Sequence, residues 1–194
     1  MHEQREGYCK LSFRLQDLSA QLPDSAELVA AYLTYRRGAF PTVAADWLIS
    51  QKFLHSMTLE RYSAKKIMGD FDTEGVTEAS VDETYSMLNK HFGAPEADLP
   101  CRDRFERALC VRSDNGEPLG ILYMGQTRVV AVSPEARGMG IGGKMYRAFA
   151  AESKNAVFHE WIRPDNTASI AMFQKLGFAK GDMIADLYIR RNTK

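Results

Sequence analysis

The sequence predicts an α/β chain of the α+β kind, a mixed, mostly antiparallel sheet with helices against it. Three observations carry that prediction. Phe105–Arg112, Leu119–Met124 and Arg128–Val132 are apolar runs joined by short links, which is the pattern of an antiparallel meander. The last run then passes through Ser133–Arg137 into four glycines within six residues, Gly138, Gly140, Gly142 and Gly143, which open a long amphipathic segment. That order reads as strand, turn, glycine-rich loop, helix. Beyond it, Val157–Ile162 reads as a strand, Thr167–Leu176 as a helix closed by Gly177, and Phe178 with Met183–Ile189 as the last strands.

Taken from the amino terminus, Cys9–Leu15 alternates apolar and polar residues and predicts a half-buried strand. Asp24 with Glu27 forms a capping box, so a helix is expected from Ser25 to Arg37, stopped by Gly38 and Pro41. Trp47–Met57 and Leu59–Met68 carry helical spacing, and Gly69–Gly75 interrupts them. Ser80 with Glu83 is a second capping box, starting a helix through Tyr85, Met87 and Leu88 that ends by Gly93. Gly93–Arg104, with Pro95 and Pro100, is a loop. Asn115-Gly116 is a hairpin signal, in a loop long enough to need a bulge or a wider turn. The helix over Gly142–Ser153 should bury Met145, Tyr146, Phe149 and Ala150.

With 194 residues, 45% hydrophobic and 26% charged, the chain is of ordinary size and composition for one folded domain. Its 25 basic and 25 acidic residues cancel, which gives no argument for nucleic acid as a partner. No apolar run is long enough for a membrane span, and the polar start, M-H-E-Q-R-E-G-Y-C-K, lacks the core of a signal peptide. Cys9, Cys101 and Cys110 are odd in number and not at metal-ligand spacing. The expectation is a cytoplasmic protein with reduced thiols, no metal, and neither membrane nor nucleic acid as partner.

Glycines at the head of a helix aim backbone N–H groups at one point, where the helix dipole adds positive charge. Such a place suits phosphate. Gly138, Gly140 and Gly143 satisfy the dinucleotide pattern G-x-G-x-x-G, but that pattern wants its first glycine at the strand end, and Ser133–Arg137 intervene. Gly138, Gly143 and Lys144 satisfy G-x-x-x-x-G-K, but Met145 stands where a hydroxyl must hold magnesium. What is left is R-x-x-G-x-G, on Arg137, Gly140 and Gly142, preceded by V-A-V-S-P-E.

Downstream, Asn166–Phe178 reads N-T-A-S-I-A-M-F-Q-K-L-G-F. The two motifs together, in this order and on these elements, resemble the acyl-CoA loop and the following helix of the GNAT N-acyltransferase superfamily. The resemblance covers Phe105–Ile189 and, loosely, the first strand; residues 42–104 do not match. It implies a single domain over 1–194 with the GNAT fold and helices on both faces of the sheet; the helical segment read from spacing at about 42–104 stands outside the pattern. It implies acetyl-CoA as the acyl donor and a primary amine of a small molecule or peptide as the acceptor, and it leaves a homodimer open. Val130, Ala131 and Val132 would pair through their backbones with the pantetheine arm. Arg137, Gly138, Met139, Gly140, Ile141, Gly142 and Gly143 would hold the pyrophosphate. Asn166 would contact the pantetheine chain or simply cap its helix.

The proton chemistry departs from the family pattern. Many relatives carry a tyrosine acid seven residues beyond the Asn; here that residue is Phe173, which has no proton to give and would pack on the sulfur end of CoA or in the core. The thiolate would then leave unaided, or take its proton from Ser169, Tyr123, Tyr146 or Tyr188. Many relatives carry a glutamate base five residues before the Asn; here it is Trp161, flanked by His159 and Glu160. Strand alternation puts His159 on the face of Trp161 and Glu160 on the other, so His159 serves as base in regular register and Glu160 if a bulge shifts it. The acceptor pocket would draw on Tyr32–Phe40 and residues 42–104, with Arg36 and Arg37 either meeting an anionic acceptor or closing a helix end. A CoA-binding module without turnover, and a donor with a longer or carrier-bound acyl chain, stand as alternatives.

Overall fold

The computed structural model describes residues 2–5, 8–12, 28–91, 105–125, 128–153 and 157–191. The strands are β1 (His2–Arg5), β2 (Tyr8–Ser12), β3 (Leu28–Arg36), β4 (Leu54–Ala64), β5 (Val76–Glu78), β6 (Arg107–Arg112), β7 (Pro118–Met124), β8 (Arg128–Val132), β9 (Phe158–Ile162) and β10 (Ala179–Arg191). The α-helices are α1 (Thr42–Ser50), α2 (Val81–His91), α3 (Ile141–Glu152) and α4 (Thr167–Lys175). Hydrogen bonding makes two sheets, a six-stranded one in the order β1-β2-β3-β10-β4-β9 and a four-stranded one in the order β5-β6-β7-β8. The chain divides into two compact units, one of Met1–Tyr62, Trp161–Thr167 and Lys180–Lys194, the other of Ser63–Glu160 and Ala168–Ala179.

In the first unit β3 runs parallel to β2 and antiparallel to β10, from Met183 opposite Arg36 to Arg191 opposite Leu28. This corrects the expected helix over Ser25–Arg37. Val29, Ala30, Ala31 and Leu33 are all buried, so the strand is covered on both faces. Such a strand shows an unbroken apolar run, which periodicity alone does not separate from a buried helix. The Asp24–Glu27 capping box lies outside the described residues. Arg36 and Arg37 therefore close no helix: Arg36 lies 3.8 Å from Asp182, and Arg37 bonds Glu60 at 2.7 Å.

Within the stretch 42–104, the described residues 42–91 are mixed rather than helical. Helix occupies Thr42–Ser50, but Leu54–Ala64 is strand β4, where helical spacing had been expected through Met57 and from Leu59. The inward positions of β4 are Glu60, Tyr62 and Ala64. A glutamate at an inward position hides the period of two. It is tolerated because Arg37 and Lys180, the latter at 2.6 Å, neutralise it from neighbouring strands. α1 lays Ala44, Ala45 and Leu48 on Val29, Ala31, Leu33, Phe53 and Tyr188.

The second unit follows the sequence more closely. β6, β7 and β8 form the expected meander, with β5 added to its outer edge. The turn at Asn115-Gly116 has Gly116 at φ +84°, and the register shifts between Val111 and Arg112, the bulge that the long link requires. Helices cover both faces of this sheet. Met87 of α2 packs with Ala108, Cys110 and Ile121, and Leu88 with Tyr123, Val129 and Ala131. α3 takes the other face, Ile141 and Met145 lying against Gly120 and Gly142 against Val130 and Val132. The buried face of α3 includes Ala148, while Phe149 and Ala150 are only half-buried.

Two helix ends are built as their residues predict. The Ser80 amide donates to the Glu83 carboxylate at 2.9 Å, and the Glu83 amide donates to Ser80 Oγ at 3.2 Å. At the end of α4 the amides of Gly177 and Phe178 return to the carbonyls of Gln174 and Phe173, with Gly177 at φ +91°. Arg112 also pairs with Glu83, and this guanidinium together with the Ser80 amide holds the carboxyl down to about 2. Glu83→Ala is therefore expected to cost about 1 kcal/mol at neutral pH. Because the folded pKa is depressed, the wild-type advantage is present above the usual carboxylate range and is lost as pH falls through about 2. Denaturant unfolding of both proteins at pH 7 and in strong acid should show the gap closing.

Candidate acyl-CoA site

β8 is the terminal strand of the four-stranded sheet. Its partner is β7, with Ala131 opposite Ile121 and Val129 opposite Tyr123. The Ser133 amide donates to the Leu119 carbonyl at 2.9 Å, which makes the odd-numbered positions the hydrogen-bonded ones. The alternation of an antiparallel ladder then turns the N–H and C=O groups of Val130 and Val132 away from β7, to the open edge. Ala131 spends its backbone groups on β7 and its side chain on the α2 face.

The edge leads into a short 3-10 turn, Pro134–Ala136, and then into the glycine loop. Arg137, Gly138, Met139 and Gly140 are exposed. Gly138 and Gly140 stand at φ +84° and +78°, and a Cβ on either would meet nothing within 4 Å. Glycine is needed there for the backbone conformation, and open space lies over it. Gly140 caps α3 without a side chain, and the Lys144 amide is bonded to the Gly140 carbonyl at 2.9 Å. The amides of Ile141, Gly142 and Gly143 precede that first helical bond and have no partner inside the helix. They gather at the positive end of the helix dipole, beside the open edge of β8. Gly142 has a different reason: a Cβ there would lie 2.7 Å from Met172 Sδ. Asn166 immediately precedes α4, exposed, its amide bonded to the Arg163 carbonyl at 3.0 Å.

Behind this edge sits a buried polar group. Glu160, 7% exposed, accepts a hydrogen bond from Tyr146 Oη at 2.5 Å and is ion-paired with Arg128. Arg128 also donates through Nη2 to the His159 carbonyl at 2.6 Å, and its guanidinium lies over the Phe149 ring. Burial pushes the Glu160 carboxyl up, and Arg128 opposes the shift. Burial first, then the Glu160 charge, pushes the Tyr146 phenol up. Along β9 the burial alternates, Phe158, Glu160 and Ile162 inward, His159 and Trp161 outward. The regular register therefore holds without a bulge. His159 is exposed, with Nδ1 2.8 Å from Ser63 Oγ.

Phe173 is buried and belongs to an aromatic cluster around Tyr146, with ring centroids 5.2 Å from Tyr146 and 5.0 Å from Phe178. Tyr123 and Tyr188 are also buried, and Ser169 is half-buried. Arg128 escaped the sequence reading. It looks like the polar flank of an apolar run, and its partners lie about thirty residues on, beyond a helix.

An edge strand running into a glycine-capped helix, followed by a further strand and helix, is the arrangement of the acetyltransferase fold. A sequence profile of the GNAT acetyltransferase family matches residues 74–178, more than half of the chain, and the protein belongs to that family. A mycothiol acetyltransferase of Paenarthrobacter aurescens strain TC1 is 36% identical over 62 residues, 30% of this chain but only 19% of that protein. A Drosophila protein of known structure superposes with a TM-score of 0.73 at 16% identity, over 97% of this chain and 73% of its own. A GCN5-related N-acetyltransferase from Sphaerobacter thermophilus gives 0.58 at 14% identity, over 100% and 76%. At such identities the two structures speak for the fold.

The buried pair makes a direct prediction. Arg128→Met leaves the Glu160 carboxylate buried without its cation, and a loss of about 3–5 kcal/mol in denaturant unfolding is expected. Adding Glu160→Met should recover most of it, since the uncompensated charge goes.

Proposed function

We propose that the protein transfers an acetyl group from acetyl-CoA to a primary amine of a small molecule or peptide, by direct attack of the amine on the thioester, and that residues 1–194 act as one GNAT domain. The observation that carries this reading is the open edge of β8 at Val130 and Val132, running into positive-φ glycines with free space over them. An extended pantetheine arm fits the edge as an added strand, and a pyrophosphate fits the loop Gly138–Gly143, where the Met139 amide returns to the Ala136 carbonyl and the amides of Ile141, Gly142 and Gly143 have no partner inside the helix. Arg137 and Met139 flank that site, exposed, and Asn166 marks the head of α4. Ala131 supports the edge from behind.

Of the two bases expected in β9, the exposed His159 imidazole is the one in reach of solvent, whereas the Glu160 carboxylate is already held by Arg128 and Tyr146. Phe173 offers no proton, and the Tyr146 hydroxyl donates to Glu160. The thiolate, a far weaker base than an amine, then leaves without a tyrosine acid. Phe173 is also what favours the second reading, a CoA-binding module without turnover. Thiol release from acetyl-CoA in the presence of a panel of amines separates the two.

Gly140→Val forces a β-branched residue to φ +78°, a strain of about 1–3 kcal/mol. Acetyl-CoA affinity measured by calorimetry should fall by about tenfold to a hundredfold. Unchanged affinity in a folded variant refutes the loop as the pyrophosphate site.

A further inference from the structure

Within the second unit, α3 carries two cations beside the glycine loop that the backbone amides do not account for. Lys144 and Arg147 lie three positions apart, on one face of the helix. A helical side chain leans toward the helix N-terminus, and Arg147 does so: its Nη1 would lie 3.4 Å from a Cβ on Gly143. Its Nε is buried without a hydrogen-bond partner among the described residues. Lys144 Nζ lies 3.2 Å from Asp72 Oδ2, and the Asp72 side chain is 65% exposed.

Asp72 belongs to a strap, the segment 69–75, that is tied down at both ends inside the same unit. At its start the Met68 amide donates to the Leu176 carbonyl at 2.9 Å, beside the end of α4. At its far end Val76 enters β5 opposite Val111 of β6. A Cβ on Gly69 would lie 3.5 Å from Arg147 Nη1, so the guanidinium sits between Gly69 of the strap and Gly143 of the helix. The Glu74 amide donates to Asp72 Oδ1 at 2.9 Å and fixes the direction of the carboxylate. That bond, and then Lys144, hold the Asp72 carboxyl below the usual carboxylate range, and Asp72 feels the Arg147 charge as well. A single carboxylate thus answers two cations at the head of α3. A phosphate monoester carries nearly twice the charge at neutral pH and three acceptor oxygens, so it can satisfy both.

We propose that Asp72 is a resident anion at a phosphate-monoester site: the ribose 3′-phosphate of CoA displaces the carboxylate and takes Lys144 and Arg147 as its partners. The monoester hangs from the same nucleotide as the pyrophosphate, and Lys144 directly follows Gly143, the last residue of the loop. The exchange makes and breaks no covalent bond. It selects a free CoA thioester as the donor, because an acyl arm on a carrier protein ends in a phosphodiester and has no ribose phosphate to displace Asp72. This inference rests on the acyl-CoA reading and adds to it the class of donor and the residues that choose it.

The test uses the full chain and two probes, CoA and 3′-dephospho-CoA, with Kd read by calorimetry at fixed ionic strength. Wild type should bind CoA about tenfold more tightly than dephospho-CoA. Lys144→Gln and Arg147→Gln should each weaken CoA and leave dephospho-CoA unchanged, so that the preference shrinks toward one. Asp72→Asn should act in the opposite direction, tightening CoA by about threefold, because the phosphate no longer has a competitor. Thermal unfolding checks each variant; if Arg147→Gln unfolds, Lys144→Gln and Asp72→Asn decide. Equal binding of the two probes by wild type overturns the proposal, as does a preference that survives Lys144→Gln. An Asp72→Asn protein whose CoA affinity falls or stays put overturns it too, since the carboxylate would then orient Lys144 rather than compete for it. Wild type that binds neither probe refutes the acyl-CoA reading itself, and this inference with it.

Discussion

The candidate acyl-CoA site depends on an edge strand that stays open. β8 ends the four-stranded sheet, with the outward backbone groups of Val130 and Val132 on its open edge. A side chain anchors the head of this strand within its own unit. Arg128 reaches the Glu160 carboxylate and the His159 carbonyl together, and Tyr146 from α3 completes the carboxylate's shell. The pair is buried enough that either partner alone would be costly, and together they satisfy one another. The tie leaves the outward backbone groups of Val130 and Val132 unspent on β7, and these are the groups that the proposed pantetheine arm would pair with.

The glycine loop adds a second constraint with a different origin. Gly138 and Gly140 are fixed by dihedral angle, with open space above them, while a Cβ on Gly142 would press on the Met172 side chain. The first two leave open space over the loop, and the third lets α3 lie close to Met172. In the proposed function a pyrophosphate would be met by backbone amides, a mode of binding compatible with a chain of zero net charge. Phe173 shows the same division of labour. By joining the aromatic cluster around Tyr146 it stiffens the packing of α4 on α3 and withdraws from proton transfer.

Tyr146 and Glu160 illustrate how burial redirects residues that look catalytic. Both titrate upward chiefly because water is excluded, and both spend their polar atoms on each other and on Arg128. The exposed imidazole of His159, beside Ser63, keeps a ring nitrogen available. The contrast between the two kinds of group is one of access rather than of intrinsic chemistry.

Short-range chemistry was enough to read the meander of β6, β7 and β8, the Ser80–Glu83 box, the Gly177 stop and the glycine loop, because each is decided within about ten residues by turn geometry, capping or alternation. The alternation of His159 and Glu160 along β9 was legible for the same reason. The strands β3 and β4 were not. An apolar run covered on both faces has no telling period, and an inward Glu60 breaks the period of its strand, so both were decided by pairing with β10 and by the cations Arg37 and Lys180 far along the chain. The Arg128–Glu160 tie and the Lys144–Asp72 pair belong with them. Each joins residues more than thirty positions apart, and only the folded backbone brings such groups within hydrogen-bond reach.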